Sequence, residues 1–161
     1  MNTVAQRLMP LAQRAIHALE TLQPLALLAA RLYVAQVFFL SGLTKLRDWD
    51  TTLALFADEY KVPLLPTGLA AWTGTGGELV LPVLLALGLF GRFAALGLFV
   101  VNAVAVISLT DIPQAALQQH QFWGSLLIGL ILWGPGKWSL DAWFVSRLWS
   151  ATTRPAAMPQ R

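Results

Sequence analysis

The chain has 161 residues, of which 57% are hydrophobic and only 12% are charged, and its formal net charge is +3. A soluble domain carries about a quarter charged residues, so this composition indicates one integral membrane domain. The sequence contains no cysteine, which excludes disulfides, thiolate catalysis, cysteine-held iron–sulfur clusters and cysteine-type zinc sites. The small positive excess indicates membrane topology and not a surface for nucleic acid.

Residues 1–23 place apolar side chains at helical spacing, with Arg7, Arg14 and His17 among their polar neighbours. Such a pattern is typical of a helix that lies in the membrane interface. A mobile tail is the alternative, and the sequence does not separate the two.

Four apolar segments follow, and they predict membrane spans at residues 24–46, 68–90, 93–110 and 115–133. Each is long enough, or nearly so, to cross a bilayer as a helix. Residues 47–66 predict a short amphipathic helix on the membrane surface, and Ser139 is placed to cap a final helix over residues 140–149. The expected fold is therefore all-α: a polytopic four-transmembrane-helix bundle with interfacial amphipathic helices over residues 24–149, followed by a disordered tail at residues 150–161.

Basic residues divide unequally between the two sides of this four-span arrangement. One side carries Lys45, Arg47 and Lys61, and the other carries Arg7, Arg14, Arg92, Lys137, Arg147, Arg154 and Arg161. Because cytoplasmic segments carry the excess of positive charge, both termini are predicted to lie in the cytoplasm.

A carboxylate, Glu78, lies in the middle of the second predicted span. At that depth in a bilayer, a carboxyl group that stays ionised and unpaired costs on the order of several kcal/mol. The group must therefore be protonated or paired. Arg31 lies on one face of the first span together with Gly42 and Lys45. We therefore predict an Arg31–Glu78 ion pair that faces the interior of the bundle, with Asn102 close by.

Lys45 and His120 are predicted to form a second polar cluster, nearer the outer side of the membrane. The polar residues could line a site for a ligand headgroup or for a proton, or they could only hold the helices in register. For Asn102, a hydrogen bond between helices is the favoured interpretation. No residue is assigned to catalysis, and no metal-ligand set is predicted.

Small residues mark places where two backbones can approach closely. Gly42, Gly74 and Gly77 are predicted to do so, either within one chain or between copies in a homo-oligomer. Pro82 removes the normal helical hydrogen bond of the Glu78 carbonyl, which predicts a kink if that carbonyl finds no replacement.

Three segments carry a resemblance to a known family: RLYVAQVFFLSGLTKL in the first span, GGELVLPVLLALGLFGR in the second and GPGKWSLD after the fourth. Together they resemble the DoxX family of small bacterial and archaeal membrane proteins, over roughly residues 30–144. The family often has an acidic residue near the start of the last span, where this chain has His120 and Gln121. The residues that correspond to the family pattern are Arg31, Gly42, Lys45, Glu78, Gly134, Pro135, Gly136, Ser139 and Asp141.

The resemblance implies a four-helix bundle in a bacterial inner membrane. The family is named after a subunit of a quinone-linked thiosulfate oxidoreductase, and some relatives associate with soluble redox enzymes or are encoded near genes for metal-binding peptides. The leading hypothesis is accordingly an accessory subunit of a redox system, non-catalytic or quinone-binding, that holds a quinone or lipid headgroup near Arg31 and Glu78 and docks a redox enzyme. The alternatives are a small proton-coupled transporter or metal-stress protein that uses Glu78 as a protonatable group, and a structural scaffold.

Overall fold

A computed structural model of the chain describes the backbone of residues 3–152 and the side chains of residues 8–147. Over this range the chain forms six helices and no strand, which confirms the all-α fold. The helices are α1 Thr3–Arg47, α2 Trp49–Asp58, α3 Thr67–Leu87, α4 Gly91–Ser108, α5 Gln114–Trp133 and α6 Leu140–Thr152.

Three segments in the described part of the chain are long and apolar enough to cross a membrane: Leu8–Arg47, Thr67–Leu87 and Gly91–Ser108. The protein is therefore an integral membrane protein. The fourth predicted span corresponds to α5, which has 20 residues but carries Gln118, Gln119, His120 and Gln121 in its first half. That α5 crosses the membrane stays a prediction.

Helix α1 differs in length from the predicted first span. It runs without interruption for 45 residues, through Pro10 and Pro24, which is about 67 Å and roughly twice what a bilayer crossing requires. The segment expected as a separate helix or tail is thus continuous with the first span, and its described side chains, residues 8–23, are all exposed. Its placement in the membrane interface stays a prediction.

At the other end of the chain, residues 150–161 were predicted to form a disordered tail. Residues 150–152 continue helix α6, and residues 153–161 lie outside the described part of the chain.

The long helices alternate in direction and pack around one apolar core. Helix α1 packs against α3 and α5, and α4 packs against both α3 and α5. The core includes Phe38, Leu85, Leu98, Leu127 and Leu130. The short helix α2 places Phe56 against Ala70 and Ala71, at the beginning of α3. We call this end of the bundle the α2 end, and the opposite end, where α3 ends and α4 begins, the α6 end.

The three predicted close-packing glycines make their contacts within one chain. A Cβ added at Gly42 would lie 2.9 Å from the Cγ of Leu79, and one at Gly77 would lie 3.2 Å from Val101. A Cβ added at Gly74 would lie 3.5 Å from the ring of Phe56, which is an ordinary van der Waals contact. Close approach of α1 and α4 to α3 therefore depends on Gly42 and Gly77 but not on Gly74. Helix α3 continues through the buried Pro82 as far as Leu87.

Candidate functional site

Glu78 forms an ion pair with Lys45. The Nζ of Lys45 lies 2.6 Å from Oε2 of Glu78, and the same ammonium donates a hydrogen bond to Ser41 Oγ at 2.9 Å. Glu78 is only 7% exposed, because the missing side chain of Gly42 lets its Cβ lie against α1. A carboxylate this deeply buried needs an opposite charge, and Lys45 provides it.

The predicted Arg31–Glu78 pair is wrong. Arg31 is almost fully buried at the α6 end and donates hydrogen bonds to the carbonyl oxygens of Pro135 and Trp138, each at 2.7 Å. Glu78 is level with Gly42, which lies about 16 Å further along α1 than Arg31. Side chains also lean toward the N-terminus of their own helix. In antiparallel helices, Arg31 therefore points away from Glu78, whereas Lys45 and Glu78 lean toward each other.

The residues around the bonded carbonyls form what we call the α6-end clamp: Arg31, Pro135, Trp138, Ser139 and Asp141. The Asp141 carboxylate accepts hydrogen bonds from the backbone N–H groups of Phe90 and Gly91, both at 2.8 Å, and so caps α4. The Ser139 hydroxyl accepts from the backbone N–H of Ala142 at 3.2 Å, the helix cap that its position predicted.

Two glycines shape the turn of this clamp. Gly134 and Gly136 have φ angles of 81° and 82°, a left-handed conformation that favours glycine. The family motif after α5 thus joins α1, α3, α4 and α6, at a distance from Glu78.

Asn102 bonds α4 to α5. Its amide nitrogen donates to the backbone carbonyl of His120 at 3.0 Å, and its Oδ1 lies 2.8 Å from His120 Nδ1. The hydrogen bond between helices that was predicted for Asn102 therefore forms. Because Oδ1 can only accept, Nδ1 of His120 carries the proton in this arrangement, which is inferred from the network. In the neutral imidazole, Nε2 is then free to accept a hydrogen bond.

A cavity of about 370 Å³ opens at the α2 end, and both Lys45 and His120 line it. Lys45 and His120, which were predicted to form one polar cluster, thus line one cavity, although His120 bonds to Asn102 and Lys45 to Glu78. Arg31 does not line it. The remaining wall is mostly apolar and includes Phe56, Val100 and Val104. Its polar side chains are Ser41, Lys45, Tyr60, Thr73, Glu78, Ser108 and His120.

Tyr60, Thr73 and Ser108 were not predicted as site residues. For Tyr60 a signal existed: it continues the spacing of the apolar residues of α2, four residues after Phe56. It lies just beyond the end of α2, and the two ring centroids are 5.0 Å apart. The backbone N–H of Lys61 donates to the Ser108 carbonyl at 2.8 Å, which holds the chain after α2 against the end of α4. No comparable sequence signal exists for Thr73 or Ser108, which reach the cavity only through helix packing.

Tyr60 places a hydroxyl group on the wall of this cavity. Burial raises the pKa of its phenol above the ordinary value, and the negative charges of Glu59 and Glu78 raise it further. The hydroxyl therefore keeps its proton at neutral pH. Among residues 8–147, whose side chains the structure describes, no three histidine, aspartate or glutamate side chains lie together as metal ligands.

Comparisons with known proteins agree with the family resemblance. The DoxX family model matches residues 26–111, more than half of the chain. This region includes Arg31, Lys45, Glu78 and Asn102. A protein of Haemophilus influenzae, described as an uncharacterized protein, is 32% identical over 125 residues, which cover 72% of this chain and 81% of the relative. No solved structure matches the chain. On the family match and the shared sequence, the chain belongs to the DoxX family.

Proposed function

We propose that this protein is an accessory membrane subunit of a redox system and that the cavity at the α2 end holds the headgroup of a quinone or of a lipid. The observation that carries the proposal is the Lys45–Glu78 ion pair on the wall of an otherwise apolar cavity. Polar groups that converge on an apolar pocket are the usual composition of a small-molecule site.

The polar groups of the cavity match the oxygen atoms of such a headgroup. The Lys45 ammonium and the Tyr60 hydroxyl are donors for a quinone carbonyl or a lipid phosphate, and Nε2 of the neutral His120 can accept a hydrogen bond from a hydroxyl group. Apolar side chains such as Phe56 and Val104 provide surface for a ring or an acyl chain. A volume of about 370 Å³ is at the lower end for ligand pockets, so it suits a headgroup whose tail extends into lipid.

The proposal includes an orientation in a bacterial inner membrane with both termini in the cytoplasm. Arg92, Lys137 and Arg147 lie at or beyond the α6 end, and Lys45 and Lys61 lie at the α2 end. With the positive side inside, the cavity belongs to the outer half of the bilayer. The redox enzyme that this subunit serves would then receive or deliver quinone on that side, with no catalytic step assigned to this chain.

Binding to the purified protein in lipid nanodiscs tests this function. A water-soluble short-chain ubiquinone serves as the probe, and quenching of tryptophan fluorescence reports binding, because Trp123 packs 5.1 Å from the His120 ring. We expect saturable quenching that weakens at least tenfold in Lys45→Met. The matched control is Glu59→Gln, an exposed charge outside the cavity, which should bind as the wild type does.

Native mass spectrometry of the membrane-extracted protein separates the two headgroups. A stoichiometric quinone supports the redox role, whereas a single retained phospholipid that the quinone cannot displace assigns the cavity to lipid. Quenching that is equal in the wild type and Lys45→Met would contradict both.

Proton-coupled transport is the second candidate, and the burial of Glu78 beside the cavity favours it, since protonation would release Lys45. In liposomes, this function requires solute flux that depends on a pH gradient and is abolished by Glu78→Gln. Equal leakage with and without the gradient would remove it.

A further inference from the structure

Helix α1 has an apolar stripe on the face that points away from the bundle. From Leu8 to Leu32, the residues at alternating spacings of three and four read Leu, Leu, Ala, Ala, Leu, Leu, Ala, Leu, and the next position is Gln36. We call this stripe, positions 8, 11, 15, 18, 22, 25, 29, 32 and 36, the α1 seam. All nine side chains are exposed, and its leucines are between 48% and 65% exposed.

The spacing is that of a coiled coil. Apolar residues at alternating intervals of three and four keep one stripe facing a partner helix over many turns. The same register runs from the segment outside the bundle into the first membrane span without a break. In the heptad notation of coiled coils, seam positions 8, 15, 22, 29 and 36 are a positions. Pro10 and Pro24 each follow an a position by two residues, so both prolines lie on the side of α1 away from the seam. The bundle contacts of Arg31, Val34 and Phe38 lie on the opposite face of the helix.

Gln36 is the observation that points to a partner. It lies about 18 Å into the span that starts near Pro24, which is close to the bilayer midplane, and it is exposed. No described group forms a hydrogen bond with its amide. Exposed hydroxyls in the spans are satisfied by their own helix, as Thr44 is by the Leu40 carbonyl at 2.9 Å and Thr73 by the Leu69 carbonyl at 2.7 Å.

A polar amide in hydrocarbon is stabilised when it bonds across a helix interface, and a single polar residue at an a position sets the register of a coiled coil. We infer that two copies of this chain associate side by side along the α1 seam, with Gln36 bonded to Gln36 of the second copy.

A second copy fits this seam better than a membrane surface or an unrelated helix. Copies inserted in one membrane have the same orientation, so their α1 helices run parallel and each seam residue meets its own equivalent, which allows the Gln36 amides to pair. At the positions beside the seam, Arg14 of one copy faces Leu19 of the second copy, so no like charges meet there. A segment lying on the membrane would require a sharp bend at Pro24, where α1 is instead continuous.

Cysteine cross-linking tests the inference directly, because the chain has no native cysteine. Ala18→Cys lies on the seam, and Glu20→Cys lies two residues away on the opposite face of the helix; both positions are exposed. After oxidation with copper phenanthroline in native membranes, we expect a covalent homodimer for Ala18→Cys at a yield at least tenfold above that of Glu20→Cys. Leu11→Cys is a second seam position, which keeps the test decisive if one variant accumulates poorly.

The contribution of Gln36 is measured by diluting the protein in lipid and recording energy transfer between labelled copies. Gln36→Leu should weaken association about three- to tenfold, whereas Gln36→Asn should retain most of it. Equal cross-linking at Ala18→Cys and Glu20→Cys would overturn the inference. A second contrary outcome is that Ala18→Cys stays monomeric and is protected from a membrane-impermeant maleimide, which would assign the segment to the membrane surface. A cross-link from Ala18→Cys to a different polypeptide would also overturn the inference.

Discussion

The ammonium of Lys45 and the carboxylate of Glu78 meet at 2.6 Å although one comes from the last turn of α1 and the other from the middle of α3. Each side chain leans toward the N-terminus of its own helix, and in antiparallel helices these directions converge. The pair occupies the cavity wall, where the Lys45 side chain is 21% exposed. Glu78 is thereby charge-compensated while it remains beside a space that a ligand can enter.

Removing one member of the Lys45–Glu78 pair should cost more than removing both. Lys45→Met leaves a buried carboxylate without its hydrogen-bond donor and counterion, and we expect a loss of about 1–3 kcal/mol in the free energy of unfolding. In Lys45→Met combined with Glu78→Gln, no charge is stranded and the loss should fall to about 1 kcal/mol or less. Unfolding by SDS in mixed micelles measures the two single variants, Lys45→Met and Glu78→Gln, and the double variant. Additive losses would show that the two groups do not act as a pair.

Arg31→Lys should destabilise the α6 end without affecting ligand binding at the α2 end. A lysine ammonium cannot hold the carbonyls of Pro135 and Trp138 in the fixed geometry of a guanidinium, and we expect a loss of about 2–3 kcal/mol. Limited proteolysis of the turn between α5 and α6 should quicken accordingly. Quinone quenching by the folded fraction should be unchanged; a loss of affinity there would mean that the clamp and the cavity are coupled.

Gly42→Ala should weaken the contact between α1 and α3. The new methyl group would lie 2.9 Å from Leu79 Cγ and 3.1 Å from Glu78 Cβ, so one helix must shift, at a cost of about 1–3 kcal/mol. Gly76→Ala is the matched control, because nothing lies within 4 Å of its added Cβ and alanine favours the helix by about 1 kcal/mol. The two substitutions are therefore expected to shift the unfolding midpoint in opposite directions.

Attachment of α2 should weaken in acid. The hydroxyl and the backbone N–H of Thr51 both donate to the exposed Asp48 carboxylate and lower its pKa. A carboxyl group whose folded pKa is depressed stabilises the fold above its ordinary pKa of about 4 and loses that effect as the pH falls through the folded pKa. The protection of residues 51–55 against hydrogen exchange, corrected for the intrinsic pH dependence of exchange, should fall over this acidic range. Asp48→Asn, which cannot titrate, should abolish this fall in protection; if it persists, another group is responsible.

Local pattern was sufficient to predict several elements of this fold. Runs of apolar residues located α3, α4 and α5 to within a few residues, and the spacing of Trp49, Leu53 and Phe56 predicted the amphipathic α2. Ser139 was recognised as a helix cap because that interaction spans only three residues. Helix α1 was placed correctly in its second half, but Pro24 was taken as a helix start, whereas the helix passes through it.

The ionic partners could not be assigned by the same reasoning. Arg31 and Lys45 share one face of α1, so helical periodicity alone offered both to Glu78. The depth of each residue depended on where α1 and α3 begin relative to each other, and the close contact at Gly42 sets that offset. Once the offset is known, the direction of the side chains selects Lys45.

The sequence by itself determined that this is an all-helical membrane protein with a charged stripe on its first span, because composition and periodicity are local properties that survive any arrangement of the helices. Membership of the DoxX family followed from the sequence match. Only the tertiary structure decided that Arg31 holds the turn before α6 and that Lys45 holds Glu78 beside a cavity. Those pairings depend on the axial offset of antiparallel helices, which is set by side-chain packing between segments distant in the chain.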